Sequence, residues 1–450
     1  MLLTTPDGAG PGATAPRGTG PDTADTPEAG GAPAGRRRVR LTAVVLVLSI
    51  ASLPMLMPFG MGPGPGNTAI PDALLVLLTG TTLLWAASRR RPVPWPFLVP
   101  TLLAVLAGAT AALANSGAGA LPLVKDVFVL LWAVCVATLC QDTGMTRIAL
   151  RAYVHLGTLY AVMEIVGMAA GIEALSGKQV DGARAMFTFG DANYASNWFI
   201  CVFFIARAAQ LPRRKGARWT VCAILLTAEF LTGSNGGALA LGIALVVGCL
   251  WGLVRAGKAH HAVAVGALAA VLGGGTVVLL SQINVATVVE QVGSTAPILR
   301  DSIGRTTGES TESRGTVLNT TLTMLSQQRH PFGIGPNEVR RHSYDEQYSY
   351  VREAHNDYIA AVLERGFLGG VAVITLVFVL LLRCVRIARR GALNREYADL
   401  VPRPELFGAL VVVFLVSALF YQTLHYRHGW AFFGLIAAVD LYGRRREANP

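Results

Sequence analysis

The apolar positions of this chain fall in long unbroken runs, neither alternating as in a strand nor forming the one-sided stripe of a surface helix. About 20 helical residues cross a hydrocarbon core. Twelve runs approach that length, at about 41–58, 70–87, 95–114, 121–140, 148–172, 190–211, 219–234, 236–254, 262–284, 367–385, 405–424 and 430–443. Each predicts a membrane-crossing helix, so the expected fold is all-α, a polytopic transmembrane bundle of about 12 spans. The last run is short, and only Thr232, Gly233 and Ser234 divide the seventh from the eighth. The one long polar stretch, about 285–354, predicts an extracytoplasmic, mostly helical loop domain between spans nine and ten. The expected organisation is a disordered cytoplasmic tail at 1–35, spans one to nine at 36–284, and the loop domain with an interfacial helix at 285–366. Spans ten to twelve and a short cytoplasmic tail fill 367–450.

Charge supports the membrane reading and orients it. Only 14% of the 450 residues are charged against 52% hydrophobic, and the mean hydropathy is +0.48, too little charge for a soluble protein of this size. Basic clusters at Arg36–Arg40, Arg89–Arg91, Arg213–Arg218, Arg255–Lys258, Arg383–Arg403 and Arg444–Arg446 recur on alternate sides of successive runs. That is the positive-inside pattern of a multi-pass protein of the cytoplasmic membrane with both termini cytoplasmic. The net charge of +11 is then a cytoplasmic rim. Its arginines are spread over many loops, which argues against a nucleic-acid partner. The six cysteines lie in or beside the runs with no paired spacing, so neither a disulfide framework nor a metal is implied. Residues 1–35, rich in Gly, Pro, Ala, Thr and Asp, cannot bury enough surface to order themselves, and they lack the form of a cleavable signal.

Ionisable residues within or near the runs include Lys125, Asp126, Arg151, His155, Glu164, Glu229 and Asp440. Intramembrane charge implies a functional or paired role; for Lys125 and Asp126, near a run end, snorkelling to the interface is as good an explanation, and His155 suits a packed polar contact. A polysaccharide transporter or flippase of about twelve spans would rest on groups such as Glu164 and Glu229 and is the competing reading.

Four outward segments carry the candidate chemistry. In Gly182–Phe199, Arg184 precedes a Gly190–Asp191 turn, and Asn193 and Asn197 share one helix face, either for substrate or for capping and interhelical bonds. In Leu231–Leu241, Ser234-Asn235-Gly236-Gly237 forms a small-residue break, either a backbone that lets anions approach closely or a short re-entry turn with Gly-Gly packing. In Glu312–Glu338, Ser313 suits an N-cap, which puts Arg314 in a first turn. Val317, Leu318, Leu322 and Leu325 make an apolar face, and Gly333-Ile334-Gly335-Pro336 adds a glycine-lined turn. In Ala354–Gly370, Tyr358, Ile359, Val362 and Leu363 form an apolar stripe opposite Asp357, Glu364 and Arg365, and Gly366 offers a stop. His355 is expected in the first turn of that helix, on the apolar stripe, where the helix dipole favours the neutral imidazole that a general base requires.

With His355-Asn356, Tyr358, Glu364, Gly366 and Gly370, Arg314 with the Phe332–Gly335 turn, and Arg184 with Asn193, the chain resembles the O-antigen ligase and polymerase family. The resemblance implies a metal-independent inverting glycosyl transfer with no cofactor, in which histidine is the base and arginines hold the pyrophosphate. It also implies an undecaprenyl-pyrophosphate-linked glycan donor, a glycan or lipid acceptor, and the lipid bilayer as solvent. Arginine's fork suits phosphate oxygens, and the sequence has no Asp-x-Asp pair for a nucleotide-sugar metal. One departure stands out. Where many members carry Ser-Arg, this chain has Ser234-Asn235, so Arg184, or Arg340, Arg341 or Arg352 of the loop, is expected to supply the missing cation.

Overall fold

The computed structural model describes residues 34–56, 69–115, 119–177, 184–282, 309–327, 331–339 and 355–445, with side chains left out at 34–40, 272–282 and 309–315. The expected tail at 1–33, most of the loop at 283–308, and Arg340, Arg341 and Arg352 lie outside the described residues.

Each of the twelve apolar runs holds a helix. In chain order these helices are α1 (Ala34–Ser52), α2 (Ile70–Arg89), α3 (Leu98–Ala114), α4 (Ala120–Leu139) and α5 (Thr143–Ala170), then, past the short α6 (Glu173–Ser176), α7 (Ala192–Ala208), α8 (Lys215–Leu231), α9 (Asn235–Arg255) and α10 (Ala259–Gln282). After α11 (Glu309–Gln327) in the loop come α12 (Asp357–Ala388), the short α13 (Arg395–Leu400), α14 (Glu405–Ser417) and α15 (Arg427–Tyr442). No strand occurs among the described residues; Leu393 and Arg444 make an isolated bridge. Five helices, α2, α4, α5, α9 and α12, are long and apolar enough to cross a membrane, and α3, α14 and parts of α1 and α10 are shorter apolar helices. The eleventh run ends early as a helix, at Ser417, and reaches α15 through a turn and the 3-10 segment Thr423–His425.

A helix that is apolar all round belongs inside. Nearly every residue of α7 and of α15 is buried, so these two form the axis of the bundle. Around them α15 packs on α4, α14 on α9 and α7, and α3 on α12. The outer helices expose large apolar side chains such as Leu84, Leu113, Val263 and Val271, which water penalises and lipid tails accept.

Contacts between helix ends sort into two sets, as up-and-down packing requires. At one end Arg427 forks onto Asp72 at 2.8 and 2.7 Å, joining the starts of α15 and α2, and the Arg184 segment meets the end of α8. At the other, Gln141 donates to Pro92 O, Tyr397 to Cys140 O, and Arg255 pairs with Glu405 at 2.7 Å. The most buried pin there is Arg383, which donates to Asp440 at 2.6 Å and to Pro96 O at 2.7 Å. Its guanidinium also lies over the Phe97 ring. His155, expected in a packed contact, is exposed on α5, whereas Glu164 on the same helix is fully buried with no hydrogen-bond partner among the described residues.

The start of α11 differs from expectation. α11 begins at Glu309, so Ser313 is no cap and Arg314 lies beyond the first turn; Glu309 and Glu312 ahead of it suit a helix N-terminus. Its buried face is Val317, Thr321 and Met324, while Leu318 and Leu322 are exposed. Removing one member of a buried ion pair strands the other charge. Asp440→Ala is therefore expected to cost about 3–5 kcal/mol, read as a lower unfolding temperature of the purified protein. Adding Arg383→Met should recover most of the loss, and a single variant as stable as the parent would refute the pin.

Candidate functional site

The site is built where α12 begins. Asn356 is the cap, its Oδ1 accepting from the N–H groups of Tyr358 and Ile359 at 3.0 Å each. His355 therefore precedes the helix and is not in its first turn, contrary to the sequence expectation. Its backbone is left-handed, at φ 47°, a conformation that costs a non-glycine residue energy and concentrates at functional sites. The cap decides this, because asparagine satisfies two orphan donors that histidine in the same place would not.

The amphipathic segment after His355 is also turned relative to expectation. Asp357, Ala360, Ala361, Leu363 and Glu364 face inward, and Tyr358, Ile359 and Val362 are half-buried. The charged side points into the protein because partners wait there. Asp357 Oδ2 accepts from Thr423 N at 2.6 Å, Thr423 Oγ1 at 2.7 Å and Leu424 N at 3.2 Å. Glu364 Oε2 accepts from Asn337 N at 2.9 Å.

Gly366 does end one helical segment, but the next starts at once. Its φ of 64° breaks α12 into two segments, and a Cβ there would sit 1.9 Å from Pro331 O. The turn at 331–339 clips over this break. Ile334 N donates to Leu363 O and Gly335 N to Glu364 O at 3.0 and 2.9 Å. Those N–H groups are thus committed to α12, and the glycine-lined turn at Gly333–Pro336 packs on that helix.

A second polar group gathers the first two outward segments. Arg184 donates from Nε to Thr232 O at 2.9 Å and from Nη2 to Asn193 Oδ1 at 3.0 Å, and Ser234 Oγ reaches the same Asn193 oxygen at 2.9 Å. Asp191 caps α7 and Ser234 caps α9, which leaves Asn235 as the first residue of that helix. Asn197, one turn below Asn193, turns into the bundle axis instead. It bonds His428 Nε2 at 2.8 Å and Ser417 Oγ at 3.3 Å, so its amide joins helices.

The end of α14 bridges the two groups. Asn356 Nδ2 donates to Leu419 O at 3.1 Å, Asp357 N to Ala418 O at 2.9 Å and Tyr358 Oη to Leu415 O at 3.0 Å. From the same segment the Tyr421 ring lies on α9, where a Cβ on Gly236 would be 2.8 Å from it. His355 and Arg184 thereby share one end of the bundle. The side chain of Arg314 and the loop arginines Arg340, Arg341 and Arg352 are outside the described residues.

One group escaped the sequence reading. Asp126 of α4, read as a snorkelling residue, pairs with Arg365 and lies 3.5 Å from His425 Nδ1. Desolvation pulls the His425 pKa down. However, 44% of its side-chain surface stays open, and hydrogen bonding and charge from Asp126, with Asp357 and Glu364 behind it, prevail and raise the pKa to about 9. No periodicity links residues 126, 365 and 425; only the helix order brings them together. Among the described residues no cluster of His, Cys, Asp or Glu could hold a metal ion. What the end of the bundle offers is an imidazole on a strained turn, a held guanidinium and a polar rim against apolar helices, a setting for acid–base and anion chemistry at a lipid boundary.

Residues 220–374 match the family model described as O-Antigen ligase, and residues 340–426 match one described as Cell cycle protein. No curated protein matches the chain. The first match spans α9, the polar loop and the His355 turn with the break at Gly366, and the second runs on through α14 to Tyr426. With its several apolar helices, the chain is a multi-pass membrane protein, and over residues 220–374 it is similar to the O-antigen ligase family.

Proposed function

We propose that this protein is a metal-independent inverting glycosyltransferase that joins an undecaprenyl-pyrophosphate-linked glycan to a hydroxyl of a glycan or lipid acceptor. The reaction takes place at the outer face of the cytoplasmic membrane, by ligation or polymerisation. The observation that carries this reading is the bridge at Ala418–Tyr421, which holds the His355 turn on one side and Gly236, next to the Arg184 group, on the other. Twelve spans with both termini cytoplasmic belong to the same proposal, supported by the sorting of helix-end contacts and the arginine-rich turns.

In the proposed step the His355 imidazole accepts the proton of the acceptor hydroxyl, whose oxygen bonds to the anomeric carbon. The bond from that carbon to the pyrophosphate oxygen breaks, and its electron pair leaves on the phosphate. Attack opposite the leaving group inverts the configuration. Pyrophosphate leaves readily once its charge is met, so the site needs fixed cations more than a general acid. Arg184, braced by Thr232 and Asn193, is one of them, and Arg314, Arg340, Arg341 and Arg352 are the others proposed. Asn193, Asn235, Asn356 and Tyr358 are proposed to line the substrate path.

Two measurements test this. His355→Ala should lower glycan transfer from a purified lipid-pyrophosphate oligosaccharide by about 100-fold or more, with donor binding retained; full activity would eliminate the mechanism. Arg184→Lys keeps the charge but loses the fork, so kcat/KM for the donor should fall about tenfold at unchanged unfolding temperature. An unaltered kcat/KM would remove Arg184 from the pyrophosphate site.

A further inference from the structure

The charged group around Asp126 closes one end of a cavity of about 80 Å³ between α3, α4 and α12. Its walls are apolar, with Ala104 and Val105 from α3, Leu123 and Leu130 from α4, and Ala361 and Leu376 from α12. Its charged lining comprises Asp126, Asp357 and Glu364 together with Arg365 and His425, and the uncharged Thr101 and Gln422 also face it.

Partners account for nearly all of these groups. Asp126 has Arg365 and His425, and Asp357 has Thr423 and Leu424. Glu364 Oε2 takes the Asn337 N–H, but Oε1, on a residue only 5% exposed, has no hydrogen-bond partner among the described residues. A buried acceptor left unmet is costly until a donor reaches it. The complement of this cavity is therefore an apolar body with a hydrogen-bond donor near its head. Three carboxylates against two cations also disfavour a phosphate head, which separates this cavity from the Arg184 group on the sign of its charge.

We propose that the cavity is the acceptor subsite: it seats the apolar segment of an amphiphile whose uncharged hydroxyl donates to Glu364 Oε1. The assignment rests on the glycosyl-transfer reading. Asp357 lines the cavity two residues after His355, so a seated amphiphile carries its head toward the turn that holds the base. The lipid-pyrophosphate donor is left to the arginines.

The test labels the full-length purified protein with photoactivatable twelve-carbon probes bearing a hydroxyl, a phosphate, an ammonium or no head group, and maps the adducts by mass spectrometry. The alcohol should label α3 and α12 about tenfold more than the phosphate or the plain alkyl probe, the difference one well-made hydrogen bond supplies. Glu364→Gln should reduce that preference. Ala104→Phe, which fills the void without touching the polar rim, should abolish labelling there even if the Glu364 variant does not fold. Equal labelling by the phosphate, stronger labelling by the ammonium, or adducts that survive Ala104→Phe would each overturn the proposal. The readout is binding at α3 and α12, so its failure leaves the His355 experiment standing, and loss of the His355 mechanism leaves the labelling pattern measurable.

Discussion

A single buried carboxylate ties this site together. Asp357 Oδ2 accepts three hydrogen bonds from Thr423 and Leu424, and bonds to an ionised acceptor are roughly twice as strong as neutral ones. They weld the start of α12 to the connection between α14 and α15. On one side of the weld stands His355 on its left-handed turn; on the other are His425, drawn to Asp126, and Tyr421, laid on Gly236 of α9. Helices α4, α9, α12, α14 and α15 meet around this junction.

The break at Gly366 serves the same end. A continuous helix from 357 to 388 would carry Glu364 and Arg365 away on its own rotation, whereas the left-handed glycine starts the second segment afresh. The 331–339 turn fills the space opened by the break and uses its N–H groups on α12 carbonyls, so that loop and helix form one rigid piece. Those N–H groups are therefore engaged by the helix.

Among lipid tails, apolar packing does not by itself favour one helix arrangement over another, and polar contacts fix the register. Arg383 with Asp440 and Arg427 with Asp72 are such pins, at opposite ends of the bundle. The His428, Asn197 and Ser417 bonds do the same along the axis, enclosed by the rings of Tyr194, Trp198 and Phe414. Glu364 and Asp440 each keep one carboxylate oxygen without a hydrogen bond among the described residues, but only Glu364 lines the cavity.

The sequence by itself determined the helices and the break points, because run length and the residues that interrupt runs are local properties. The Thr232–Ser234 division and the Gly366 break follow from it, as does the membrane itself as solvent. It also marked the His355-Asn356 pair and Arg184 with Asn193. Tertiary structure alone decided which face of α12 looks inward: Asp357 and Glu364 are buried because Thr423 and Asn337 meet them there, and no helical periodicity encodes a partner 66 residues away. It likewise decided between the two roles open to Asn197, turning it to the bundle axis, and it drew Asp126 to Arg365 and His425. Pairings of that kind depend on the order of helices around the bundle, which hydropathy along a chain does not carry.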